Sequence, residues 1–124
     1  MASDISFGSD GLAKFPTKYH GDMTLSKGKW TTICSQPERA YYKFNGDKIP
    51  TTLINPDEIR HHQHIASQLI YYKGFATWKI KEGAEAPVPN FAQYFAVVVD
   101  TATGRVCTVY PTKKIKNGKK YAGG

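Results

Sequence analysis

The sequence predicts an α+β fold, an antiparallel sheet of about four to six strands packed against one main helix, and three local signals carry that expectation. A helix-start motif stands at Asn55-Pro56-Asp57-Glu58, an alternating segment runs from Phe75 to Lys81, and a hairpin pattern spans Tyr94 to Tyr110. The 124 residues fit one domain, and 40% hydrophobic content suffices for a modest core.

Residues 1–29 mix Ser, Asp, Gly and Lys without a sustained period, so they read mostly as loop with a short helical turn near Gly11 to Phe15. Trp30 to Ser35 and Arg39 to Phe44, rich in β-branched and aromatic residues, read as two short strands joined across Gln36-Pro37-Glu38. Asn45-Gly46-Asp47 supplies a turn. Asn55 is a favoured N-cap, Pro56 suits the first helical position, and Glu58 can close a capping box while opposing the helix dipole. The predicted helix covers 56–73 and ends at Gly74. At about 100° per residue, Ile59, His62, Ala66, Leu69 and Ile70 share the face turned to the sheet. His61, His64, Ser67 and Tyr71 fall on its other sides.

From Phe75 to Lys81, Ala76, Trp78 and Ile80 alternate with Thr77 and Lys79, the pattern of a half-buried strand. Gly83 to Asn90 contains Pro87 and Pro89 and reads as a loop. Tyr94 to Val99 is apolar on both faces, as a central strand should be. Thr101-Ala102-Thr103-Gly104 then turns the chain into Arg105 to Tyr110, with Cys107 and Val109 on one face and Val106, Thr108 and Tyr110 on the other.

The formal charge of +7 and pI of about 9.4 suit an anionic partner. Five lysines and no acid occupy 111–124, whereas residues 1–110 carry twelve cations against ten anions. The chain therefore reads as one domain over 1–110 followed by a basic, flexible tail over 111–124, serving either solubility or phosphate contact. Cys34 and Cys107 lie in apolar runs and read as reduced core thiols of a cytoplasmic setting. No run of about 18 apolar residues and no basic-then-apolar start is present, so neither a membrane span nor a classical signal peptide is expected.

Several chemistries lack their parts: there is no Walker loop, Gly-x-Ser-x-Gly elbow, dinucleotide fingerprint or Cys-x-x-Cys, and no cofactor is expected. The ten acids are scattered, which disfavours a two-metal phosphoryl-transfer site. His61 and His64, at i and i+3 on the predicted helix, form a weak metal pair without an evident third ligand; solvated helix polarity accounts for them better. Metal-independent RNA cleavage asks for a base to take the 2′-hydroxyl proton, an acid for the leaving oxygen and donors for the charged phosphate. His20, in a polar Gly-containing loop, is the first candidate, with the other histidines next. Thr108 and Tyr110, one pleat apart, would present hydroxyl donors, and Arg105 and Lys113 flank them. Lys114, Lys116, Lys119 and Lys120 extend the cationic surface for nucleic acid.

The segment Tyr94 to Asp100, the Thr-Ala-Thr-Gly turn and Arg105-Val106-Cys107-Thr108-Val109-Tyr110-Pro111 together resemble the C-terminal end of small bacterial ribonuclease toxin domains. Both the barnase/RelE/colicin-type group and the ribonuclease A-like contact-dependent inhibition toxins are similar there, often ending in a strand close to Thr-x-Tyr-Pro. The resemblance implies a metal-independent ribonuclease, with Thr108 and Tyr110 near a phosphate and a histidine supplied from the N-terminal half. It covers under a fifth of the chain.

Three readings stay open. The first is an RNA-cleaving toxin or effector, for which a protein inhibitor is a natural partner. The second is a non-catalytic nucleic-acid binder using Tyr41, Tyr42, Tyr71, Tyr72 and the lysine tail. The third is a small protein- or ligand-binding module of a phage or conflict system. No membrane partner is expected in any of them.

Overall fold

Short alternating segments near the N-terminus build more structure than their composition announces. The computed structural model describes residues 5, 7–35, 45–75, 77–81, 84–87 and 93–115. Strand β1 (Leu12–Pro16) buries Ala13 and Phe15, and β2 (Asp22–Ser26) buries Met23 and Leu25, each at every second position. They pair antiparallel from Leu12↔Ser26 to Pro16↔Asp22. Residues 12–26, expected as loop with a helical turn at Gly11 to Phe15, therefore form a hairpin.

The run expected as strand 30–35 lies mostly in helix α1 (Lys27–Cys34). Ser26 caps it by accepting from Lys29 N at 3.1 Å, and Trp30 and Ile33, one turn apart, are buried. Thr31 and Thr32 donate back to the carbonyls of Lys27 and Gly28, which accommodates their hydroxyls inside a helix. A second helix, α2 (Lys48–Ile54), follows the Asn45-Gly46-Asp47 turn. Its β-branched residues cost a few tenths of a kcal/mol each in a helix, whereas complete burial of Ile49 and Leu53 contributes about 1.5–3 kcal/mol each, so packing wins. The proposed strand 39–44 lies outside the described residues.

The predicted main helix 56–73 is replaced by two antiparallel strands, β3 (Glu58–His61) and β4 (Gln68–Gly74). Leu69, Ile70, Tyr71 and Tyr72 are all nearly fully buried, which an amphipathic helix facing one side cannot achieve and a strand covered on both faces can. The capping signal has other uses. Asn55 ends α2 through its N–H to Thr51 O, and the Asp57 carboxylate accepts from Gly74 N at 2.8 Å and pairs with Lys73 at 3.6 Å, closing the open end of the strand pair.

Strands β5 (Thr77–Lys81) and β6 (Ala84–Pro87) form a separate two-stranded sheet. The first matches expectation; the second occupies part of the expected loop, where Pro87 stands at the end of a pair that no further strand joins among the described residues. Strands β7 (Tyr94–Asp100) and β8 (Arg105–Thr112) form the expected hairpin, so Pro111 and Thr112 belong to the sheet rather than to a tail. The main sheet runs β1-β2-β8-β7-β4-β3. It is mixed, because β2 meets β8 in parallel at Thr24↔Arg105.

Both faces of the sheet are covered. On one, Leu69, Tyr71, Val97, Val99 and Val109 pack with the β1–β2 hairpin, both helices and Trp78. On the other, Ile70, Tyr72, Ala96 and Val98 meet Cys107, Tyr110 and Ile115. A bulge at Cys107, between the pairs Val98↔Thr108 and Val99↔Val106, turns Val106 to the first face and Cys107 to the second, the reverse of strict alternation. Cys34 and Cys107 are free thiols. Among the described residues no helix is long and apolar enough to cross a membrane.

Candidate active site

His20 stands on the turn joining β1 to β2, and the turn is tightly bonded. Thr17 N and Thr17 Oγ1 both donate to Gly21 O, at 2.9 and 2.6 Å, while His20 N donates to Thr17 Oγ1 at 2.9 Å. Gly21 takes φ +69°, a left-handed conformation that suits glycine. Lys18 N donates to Leu53 O at 3.0 Å and ties the turn to the end of α2. The hairpin thus delivers its histidine across the helix-bearing face of the sheet.

There the His20 imidazole meets Tyr71. Nδ1 and the Tyr71 hydroxyl are 2.5 Å apart, with the rings edge-on at 6.0 Å and 79°. Tyr71 is completely buried and held between Ile59 of β3 and Val97 of β7. His61 ends β3 on the face shared by Ile59, with Tyr71 as its diagonal neighbour across the ladder. Its imidazole is close enough to act on His20: burial first, then the charge of His61, hold the His20 pKa below its ordinary value. The His20 imidazole and the Tyr71 phenol, 51 residues apart in the chain, are thus in direct contact, and the charge of His61 is felt there.

Beside His20 a cleft of about 230 Å³ is lined by Lys18, Tyr19, Pro56, Asp57, Glu58 and Ile59. Tyr19 is 41% exposed, with Lys18 Nζ 5.4 Å above its ring centroid and its edge toward His20. The wall offers a cation, a flat aromatic surface and two carboxylates.

The expected trio of His20, Thr108 and Tyr110 is not brought together. Thr108 and Tyr110 align with Val98 and Ala96, and through them with Ile70 and Tyr72, on the face opposite Tyr71. Burial, a hydrogen bond to Tyr72 and its electrostatic influence push the Tyr110 phenol far above its ordinary range. That hydroxyl is committed to Tyr72. Among the described residues Thr108 Oγ1 reaches only Val109 O, at a marginal 3.5 Å.

His61 and His64 share no helix, so the helical spacing that made them a metal pair does not exist. Between them, His62 Nδ1 accepts the N–H groups of His64 and Ile65, each at 3.1 Å, and shapes the turn that joins β3 to β4. Among the described residues no group of three His, Cys, Asp or Glu could hold a metal ion. Arg105, Lys113 and Lys114 are exposed at or just beyond the two ends of β8, whereas Lys116, Lys119 and Lys120 lie outside the described residues. Tyr71 and Tyr72 are buried and cannot stack on bases; Tyr41 and Tyr42 are outside the described residues. Sequence reasoning missed the joining of His61 and Tyr71 to His20, because the helix reading gave them no common neighbour. The signal available was the β-rich run Leu69-Ile70-Tyr71-Tyr72.

No protein family, no curated protein and no solved structure matches this chain.

Proposed function

We propose that the chain is a metal-independent endoribonuclease whose acid–base pair is His20 and His61, with Tyr71 orienting His20. The single observation that carries the reading is the His20–Tyr71 contact, with the charge of His61 acting on a His20 biased to its neutral form, next to a cleft walled by Lys18, Tyr19, Asp57 and Glu58. With Nδ1–H donating to the Tyr71 hydroxyl, His20 presents Nε2 as the base nitrogen. That nitrogen takes the proton of a ribose 2′-hydroxyl as O2′ attacks phosphorus. The O2′–P bond forms, the P–O5′ bond breaks, and protonated His61 delivers its proton to the departing O5′. The products are a 2′,3′-cyclic phosphate and a 5′-hydroxyl. Burial and the charge of His61 bias His20 to its neutral form, which is what the base role demands. Lys18 supplies positive charge for the phosphate and Tyr19 a stacking surface for a base.

The test is incubation of the purified chain with RNA in EDTA, with the ends of the products analysed. His20→Ala and His61→Ala should each lower kcat/KM by about 10²–10⁴-fold, with cyclic phosphate ends from the parent protein. Intact RNA, or cleavage that survives both substitutions, would overturn the reading.

A further inference from the structure

A second cleft, of about 250 Å³, opens where β2 and β8 part, and it is lined by Leu12, Thr24, Ser26, Lys29, Arg105 and Val106. Its chemistry is one-sided. Two exposed cations face it, no acid lines it, and neither Lys29 nor Arg105 makes an ion pair with a described residue. Asp100, opposite Arg105 in the ladder, is occupied elsewhere: it accepts from Ala102 N at 2.9 Å, Thr103 N at 3.3 Å and Ser67 Oγ at 3.2 Å. Ser26 Oγ accepts from Lys29 N, which leaves its O–H to donate. Leu12, 42% exposed, and the edge of Val106 give the cleft an apolar wall against which a sugar can lie.

We propose that this cleft is a phosphate subsite that grips the backbone of the RNA away from the bond being broken; the identity of the phosphate-bearer rests on the ribonuclease reading. Its position fits that role. His61 and Val106 end one cross-strand row, His61–Leu69–Val99–Val106, three strand spacings or about 14 Å from end to end. His61 and Arg105 also lie at the same end of the sheet. His61 precedes the 62–67 turn and Arg105 follows the 101–104 turn, and the two turns are joined by Thr101 N and Oγ1 donating to Ser67 O at 2.8 and 2.9 Å. A strand lying across these turns passes from the imidazole pair to the cationic cleft within a few nucleotides. The guanidinium of Arg105 takes two phosphate oxygens, with Lys29 and Ser26 placed for the others.

The experiment compares the full chain with a Lys29→Gln/Arg105→Gln variant of matching circular dichroism and Tm. For a ten-nucleotide RNA the variant should raise KM about tenfold and flatten the dependence of log affinity on log salt by about 1–2. A dinucleotide, which spans only the imidazole site, should be cleaved equally by both. Unchanged KM on the longer RNA, or equal losses on the two substrates, overturns the subsite. Binding of a non-cleavable 2′-deoxy oligonucleotide reads the cleft even when the parent shows no cleavage: about tenfold weaker binding by the variant supports the subsite, and equal binding overturns it. Titration with inorganic phosphate, followed through amide shifts, separates the sources. Shifts centred on Thr24, Lys29 and Arg105 show that the cleft takes any phosphate; their absence, with the tenfold loss on RNA intact, shows that it needs the polymer.

Discussion

His20 owes its chemistry to its surroundings rather than to its type. Partial burial and the neighbouring charge of His61 make it less protonated than an ordinary imidazole at the same pH. The acid limb of kcat/KM attributable to His20 should therefore lie below pH 6.5, the ordinary histidine value. Stability follows the same linkage. Because the folded pKa is depressed, the unfolded chain takes up the proton first as pH falls. Stability contributed at His20 is complete above 6.5 and declines below it, through the window down to the folded pKa. Urea midpoints measured across this window should fall more for the parent than for His20→Gln. Tyr71→Phe removes the partner of His20 Nδ1 while keeping the buried ring; the loss of one hydrogen bond of about 1 kcal/mol should lower kcat about fivefold and leave KM nearly unchanged. A purely structural role would reduce Tm without that split between kcat and KM.

Among the elements, the small β5–β6 sheet is held to the body by the buried Trp78, by the Lys79–Asp47 pair and by Asn45. Asn45 is fully buried, and its amide donates to Lys79 O at 2.8 Å and accepts from Lys79 N at 2.9 Å, taking the place of a neighbouring strand. Its backbone carbonyl accepts from Lys48 N and begins α2. Asn45→Ala should cost about 2–3 kcal/mol, since it leaves a part-buried N–H and C=O of Lys79 unpaired, and chemical denaturation would measure the loss. Hydrogen exchange should speed first at β5. The hairpin β7–β8 was legible because alternation, a Gly-ended turn and a doubly apolar strand agree with one another. The segment 56–73 was not, because a good capping sequence and a β-rich run compete there and only packing decides between them.

For the molecule as a whole, the sheet is a partition. It sets His20, His61 and Tyr71 on one side and Thr108, Tyr110 and Tyr72 on the other. Thr108→Val/Tyr110→Phe should therefore leave RNA cleavage within about twofold of the parent while lowering stability by about 1 kcal/mol through loss of the Tyr72–Tyr110 bond. A hundredfold loss of cleavage in that variant would place the chemistry on the wrong face.

Composition, charge and local pattern by themselves determined an α+β fold, the C-terminal hairpin and the strand near Trp78, because each of these depends on neighbours close in the chain. Tertiary structure alone decided that 56–73 is a strand pair, that a bulge at Cys107 reverses the facing of β8, and that Tyr71 meets His20. Those outcomes turn on burial from both sides of a sheet and on pairing between segments about 50 residues apart, which no local period records.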